Sequence, residues 1–115
     1  MKNQTAPIDA LRRQYQRLCS RLARTGYISQ GSIQDRSQLR SPRSGYQWTR
    51  KVARKTITVA LRPEQFNALR QAIENRRRLE KTIRAMEKLS RQILFETLPD
   101  THRRKRLPRK VLGTN

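Results

Sequence analysis

From Pro63 to Leu98, Phe66, Leu69, Ile73, Leu79, Ile83, Met86, Leu89 and Ile93 follow one another mostly at three- and four-residue steps, and Pro99 ends the pattern. Arg62-Pro63-Glu64 opens it with proline near a first helical turn and an early acid, both favourable at a helix N-terminus. About 35 residues at 1.5 Å rise predict a helix of roughly 50 Å. That length constrains everything else, because no small sheet covers it. Phe66, Leu69 and Ile73 can pack under a short sheet, whereas Leu79 to Ile93 needs another surface: an N-terminal helix, a second copy of the chain, or both.

The N-terminal segment offers such a surface. Ile8, Leu11, Tyr15, Leu18 and Leu22 recur at steps of three and four residues and share one stripe. Pro7 suits the first turn and Gly26 the stop. Arg12, Arg13, Arg17, Arg21 and Arg24 fall mostly off the stripe, as a solvated basic face or as phosphate contacts.

Between these helices the period changes to two. Tyr46 to Val52 and Thr56 to Leu61 alternate and are rich in β-branched and aromatic residues, so both read as strands. A connection of two or four residues around Ala53, Arg54 and Lys55 keeps the large apolar side chains on one face, while an odd-length loop mixes the faces. The four-residue form sets Val52 opposite Ile57, Arg50 opposite Val59 and Trp48 opposite Leu61. Arg50 is the exception on the apolar side and is expected to snorkel its charge past the edge. The other face presents Gln47, Thr49, Lys51, Thr56, Thr58 and Ala60. A two-stranded hairpin is marginal alone, so a third strand is expected from Ile28 to Arg36, with Ile33 apolar and Gly31 at a bulge or a close backbone approach. Ser37 to Gly45 reads as a basic loop.

The fold class is therefore α+β: an N-terminal amphipathic helix (1–25), a small antiparallel three-stranded sheet or hairpin (26–62), a long C-terminal helix for packing or oligomerisation (63–98) and a disordered basic tail (99–115). One domain is the ceiling for 115 residues.

Charge identifies the kind of partner. Twenty-eight Lys and Arg against eight Asp and Glu give a formal charge of +20. Residues 36–62 carry eight basic residues and no acid, and 101–115 carry six and again none, whereas five Glu interleave with eight basic residues along 63–98. Unopposed positive charge calls for a dense polyanion, with nucleic acid the leading choice. Membrane is the weaker choice, since no apolar run approaches the roughly 18 residues of a spanning helix and no signal-like apolar stretch opens the chain. A cytoplasmic location is the expectation.

Catalysis is not expected. His102 lies among arginines, Cys19 lies beside the first helical stripe as a small hydrophobe, and Asp9, Asp35 and Asp100 are scattered rather than clustered around a metal. One cysteine and one histidine make neither a disulfide nor a zinc knuckle. No cofactor is implied.

The candidate nucleic-acid residues follow from this. Arg36, Arg40, Arg43, Arg50, Lys51, Arg54 and Lys55 are phosphate candidates, and Gln47, Thr49, Thr56 and Thr58 can reach base edges from a sheet lying in a major groove. Arg76, Arg77 and Arg78 break the apolar seam of the long helix. They contact phosphate or are solvated beside Glu74 and Glu80. Arg103, Arg104, Lys105 and Arg106 of the tail are expected to be disordered until bound.

The run from Gly26 to Ile33, the strands Tyr46 to Val52 and Lys55 to Val59, Glu64-Gln65, and Asn75-Arg-Arg-Arg-Leu79 resemble a family of small, uncharacterised, basic bacterial proteins found near transposases. The resemblance spans residues 20–98. Many relatives carry several cysteines where this chain has Arg36 to Gly45, so no metal knuckle carries over. The order of three strands and a helix is also similar to the arm-site DNA-binding domains of phage and transposon integrases, whose sheet enters the major groove. Charge, sheet face, helix seam and resemblance together lead to the expectation of a non-catalytic DNA-binding accessory protein of a bacterial mobile element, partnered with DNA and with a transposase or recombinase, and self-associating through its helices as a homodimer. The alternatives are an RNA-binding subunit of a ribonucleoprotein, which needs Tyr46 and Trp48 exposed for base stacking, and a coiled-coil protein-interaction factor.

Overall fold

The computed structural model describes residues 7–101 and 106–114. Its elements run α1 (Ile8–Leu22), β1 (Ser32–Asp35), a 3-10 turn (Arg36–Gln38), β2 (Tyr46–Val52), β3 (Lys55–Leu61), α2 (Pro63–Thr97) and α3 (Arg109–Leu112). The architecture is α+β. The chain divides into two compact units, Thr25–Leu79 and Met1–Arg24 with Glu80–Asn115, and α2 passes through both.

In the first unit the three strands form one antiparallel sheet in the order β1-β2-β3. Arg62 starts α2 with one half of a capping box: its N–H donates to Gln65 Oε1 at 2.9 Å, while its C=O accepts the first helical hydrogen bond, from Phe66 N at 2.9 Å. Tyr46 stacks on Phe66 with ring centroids 4.4 Å apart, which fixes the sheet face that meets the helix. Ala72 and Ile73 are buried beneath it. The segment leading into β1 is fastened to the same helix, since Ser29 N donates to Ala72 O at 3.2 Å and Asn75 Nδ2 donates to Tyr27 O at 2.9 Å.

β2 and β3 pair through a two-residue turn, with Val52 opposite Lys55, Arg50 opposite Ile57, Trp48 opposite Val59 and Tyr46 opposite Leu61. Of the two even loop lengths expected from sequence the two-residue one forms, which corrects the facing pairs expected from the four-residue form. Ala53 (φ 49°) and Arg54 (φ 69°) both lie in the left-handed region, as a type I′ turn requires. Holding two non-glycine residues there costs about 1–2 kcal/mol each, offset by the longer ladder and by a turn twist that suits the strands. Both loop lengths keep parity, so the division into two faces stands. The third strand is shorter than expected, because Gly31 (φ 106°) turns the chain and only Ser32 to Asp35 pair with β2.

In the second unit α1 lies against the later part of α2. Leu11 and Leu89 are buried, and a cavity of about 390 Å³ is lined by Tyr15, Leu22, Ile83 and Met86. The N-terminal helix thus covers part of the Leu79 to Ile93 seam. The tail is also corrected over its described part. Instead of disorder, α3 ends on Gly113 in the left-handed conformation, Arg91 donates to Gly113 O from Nη2 at 2.9 Å, and Arg106 pairs with Glu96 at 2.8 Å. These contacts come from α2, ten and 22 positions upstream, and hold a segment that composition alone reads as unfolded.

Candidate nucleic-acid interface

With Tyr46 turned toward α2, strand alternation sends Gln47, Thr49 and Lys51 of β2 and Thr56, Thr58 and Ala60 of β3 to the opposite, helix-free face. β1 adds Ser32, opposite Thr49, and Gln34, opposite Gln47. The result is a continuous array of hydroxyls and amides across three strands. Thr49 Oγ1 and Thr58 Oγ1 lie 3.5 Å apart across the ladder. Each of these groups can donate or accept, as contact with the mixed pattern on base edges requires.

Ser32 and Gln34 were missed from sequence. Their signal was present: once Ile33 is taken as the apolar anchor of its strand, its two neighbours fall on the other face.

Cations lie beyond both ends of this array. At one end, residues 36–45 form a tight loop in which Arg36 N donates to Gly45 O and Arg36 O accepts from Arg43 N at 3.1 Å, leaving Arg40 and Arg43 exposed. Asp35 holds the start of that loop, accepting from Ser37 Oγ at 2.7 Å and from Ser37 N at 3.0 Å. These hydrogen bonds, the side-chain one first, keep its carboxyl below the ordinary aspartate range. At the other end the hairpin tip carries Lys51, Arg54 and Lys55, all exposed. Ion pairs form elsewhere: Arg12 with Asp9, Arg62 with Glu64, Arg77 with Glu74 and Arg106 with Glu96. None reaches Arg36, Arg40, Arg43, Lys51, Arg54 or Lys55 among the described residues.

The remaining candidates are placed apart from the polar face. Arg50 lies on the helix side, its guanidinium 5.5 Å from the Trp48 ring centroid, with Nε buried. Arg76, Arg77 and Arg78 sit on α2. Arg77 Nη1 is 2.7 Å from Glu74 Oε1, Arg78 donates to Asn75 Oδ1, and Arg76 also engages groups within the chain. Arg106 pairs with Glu96, while Arg103, Arg104 and Lys105 lie outside the described residues, as does His102.

The two aromatic side chains of the sheet are engaged within the molecule, whereas Tyr27, before β1, is 92% exposed. Tyr46 is stacked on Phe66, and Trp48 Nε1 donates to Gln30 O at 3.0 Å, with the Arg50 guanidinium near the Trp48 ring. Among the described residues no group of three or more His, Cys, Asp or Glu is placed to hold a metal ion, and no helix is long and apolar enough to cross a membrane.

Fold and surface define a small basic α+β protein, a three-stranded antiparallel sheet backed by one long helix and bearing a polar face between two basic ends. Comparison with protein families, curated proteins and solved structures returns no match for this chain.

Proposed function

We propose that the protein is a non-catalytic DNA-binding accessory factor that lays its sheet in the major groove, with Gln47, Thr49, Thr56 and Thr58, joined by Ser32 and Gln34, at the base edges. One observation carries this reading: the helix-free sheet face is polar across all three strands, and cations without acid partners stand beyond both of its ends. Seven residues of β2 at about 3.3 Å each span roughly 20 Å, more than the groove width of about 12 Å. A sheet set across the groove therefore brings Arg36, Arg40 and Arg43 toward one phosphate wall and Lys51, Arg54 and Lys55 toward the other. The setting in a bacterial mobile element, with a transposase or recombinase nearby, rests on the sequence resemblance.

DNA is favoured over RNA because a sheet binds single-stranded RNA by stacking bases on free aromatic rings of its surface, and the sheet's own aromatic residues, Tyr46 and Trp48, have partners inside the fold. Titration of labelled duplex DNA and of single-stranded RNA, followed by anisotropy and Trp48 fluorescence, tests the reading. Tight duplex binding with little change in Trp48 emission is expected. Preference for single-stranded RNA with strong Trp48 quenching would replace it with the ribonucleoprotein alternative. Thr49→Ala is expected to alter preference among duplex sequences at one base pair, by about 1–3 kcal/mol, with little change in salt dependence.

A further inference from the structure

The outer edge of β3 is a seven-residue strand edge with no neighbouring strand among the described residues. β2 lies on its inner side, and the strand order places nothing on its outer side among the described residues. Val52 and Lys55 flank a two-residue turn, so they exchange both backbone hydrogen bonds and the pattern alternates from there. Lys55, Ile57, Val59 and Leu61 point their N–H and C=O groups at β2. Thr56, Thr58 and Ala60 point theirs outward. Soluble proteins ordinarily blunt such an edge with proline, a bulge or a central charge, and β3 has none of these between Thr56 and Leu61. On the helix side of the same strand Ile57 and Val59 remain 37% and 40% accessible.

A second β3 strand fits this edge in one antiparallel register. Centred on Thr58, it sets Thr58 opposite Thr58 of the second copy and Thr56 opposite Ala60, so all three outward-pointing residues meet outward-pointing residues. About six backbone hydrogen bonds result. The same register sets Ile57 opposite Val59 of the second copy, in the closer, non-hydrogen-bonded positions, and covers both exposed apolar side chains twice over. It also sets Arg54 beside Arg62 of the second copy at each end. The centre is thus complementary to itself, while the ends repel.

We propose that β3 pairs with β3 of a second copy about a two-fold axis through Thr58, making a six-stranded sheet, once salt or bound phosphates screen the arginines at its ends. The helix-free faces of the two sheets then become one surface with two-fold symmetry, suited to a palindromic site. The role of phosphates rests on the DNA-binding reading above; screening by salt does not.

Sedimentation of the full chain without nucleic acid separates the two. At about 0.01 M salt, where charges interact over about 30 Å, a monomer is expected, and at about 1 M, where the range falls to about 3 Å, a dimer. In the dimer the amides of Thr56, Thr58 and Ala60 should exchange with solvent about tenfold or more slowly than in the monomer. Those of Ile57 and Val59, bonded to β2 in both states, should change little. Ala60→Pro removes an outward N–H and leaves the β2–β3 ladder whole, so it should stay monomeric in both salts with unaltered Trp48 emission. Val59→Lys, which leaves the backbone and the polar face intact, is likewise expected to stay monomeric in both salts and serves should the proline variant fail to fold; because Val59 lies opposite Trp48, its folding is checked by amide exchange of the β2–β3 ladder rather than by Trp48 emission.

A monomer at both salts overturns the pairing, as does a dimer that survives both substitutions and so belongs to another surface. On duplex DNA the wild type should load two copies cooperatively and Ala60→Pro one at a time. Absence of any DNA binding strikes the reading of function and leaves the outcome of the salt experiment in place.

Discussion

Replacing Lys51 and Arg54 together by alanine tests whether the hairpin tip grips phosphate, and its effect follows from counting charges. Six cations beside the polar face, Arg36, Arg40, Arg43, Lys51, Arg54 and Lys55, form no ion pair with an acid among the described residues. If each neutralises one phosphate of duplex DNA, the logarithm of affinity falls with the logarithm of salt at a slope of about −5.4, and removal of two contacts reduces it to about −3.6. Between about 50 and 200 mM salt the wild type then loses roughly 1,800-fold in affinity and the double variant roughly 150-fold. A twelvefold difference of that kind is easily read by fluorescence anisotropy on a labelled duplex at four salt concentrations. Both substitutions leave non-glycine residues in the strand and turn, so the backbone strain at Arg54 is unchanged. Arg77→Ala is the control, because that guanidinium is already paired with Glu74, and its slope should match the wild type. A double variant whose slope lies within about 0.5 of the wild-type value refutes phosphate contact by the tip.

Three further outcomes test the scaffold. Gly31→Ala would place a Cβ 2.5 Å from Trp48 Nε1 and 2.7 Å from Thr49 O at a backbone φ of 106°, and is expected to lower stability by about 1–3 kcal/mol in urea unfolding followed by Trp48. Asn75→Ala takes the donor from Tyr27 O and the acceptor from Gln71, which lies 2.9 Å away; a loss of about 1–3 kcal/mol is expected by the same assay, with faster exchange in the segment before β1. Asp35 has a folded pKa below its ordinary value of 3.8 because Ser37 donates to it. Its hold on the turn is therefore complete above 3.8 and is lost as the pH falls through the lower folded value. The Ser37 amide proton, followed by NMR, should titrate with a midpoint below 3.8, and a midpoint at or above that value contradicts the capping role.

The parts of the fold legible in the sequence are those set by local periodicity. Three- and four-residue steps locate α1 and α2, Pro7 and Pro63 mark their starts, and alternation in Tyr46 to Val52 separates a helix face from a polar face whichever even loop joins the strands. The register itself was hidden, because Ala53-Arg54 carries none of the Gly, Asn or Asp that ordinarily announces a type I′ turn. Long-range contacts were hidden as well. Asn75 looks like one polar residue before three arginines until the carbonyl of Tyr27, 48 positions away, arrives beside it. Arg91 gives no hint that it holds the carbonyl of Gly113. The polar face was legible in the same measure: parity placed Gln47, Thr49, Thr56 and Thr58 together on it, while Ser32 and Gln34 waited on knowing where the short β1 begins.

The hairpin is held unequally along its length, and the inequality bears on function. Near its base, Tyr46 rests on Phe66 and Ile73 is buried; toward its tip, Val52, Ile57 and Val59 keep 38%, 37% and 40% of their surface. The tip is therefore maintained chiefly by the ladder and by a strained turn, while the unit that contains it, Thr25–Leu79, carries twelve basic residues against Asp35, Glu64 and Glu74. Self-repulsion in so basic a unit opposes compaction, and phosphate relieves it, so a ligand that binds the folded tip also stabilises it, by about 2.7 kcal/mol at a concentration a hundred times its dissociation constant. Folding of the tip and occupancy of its cationic face are consequently coupled in both directions. Amide exchange should slow on DNA binding most at Val52 to Val59 and least in the part of α2 under Tyr46, where apolar contact already holds the chain.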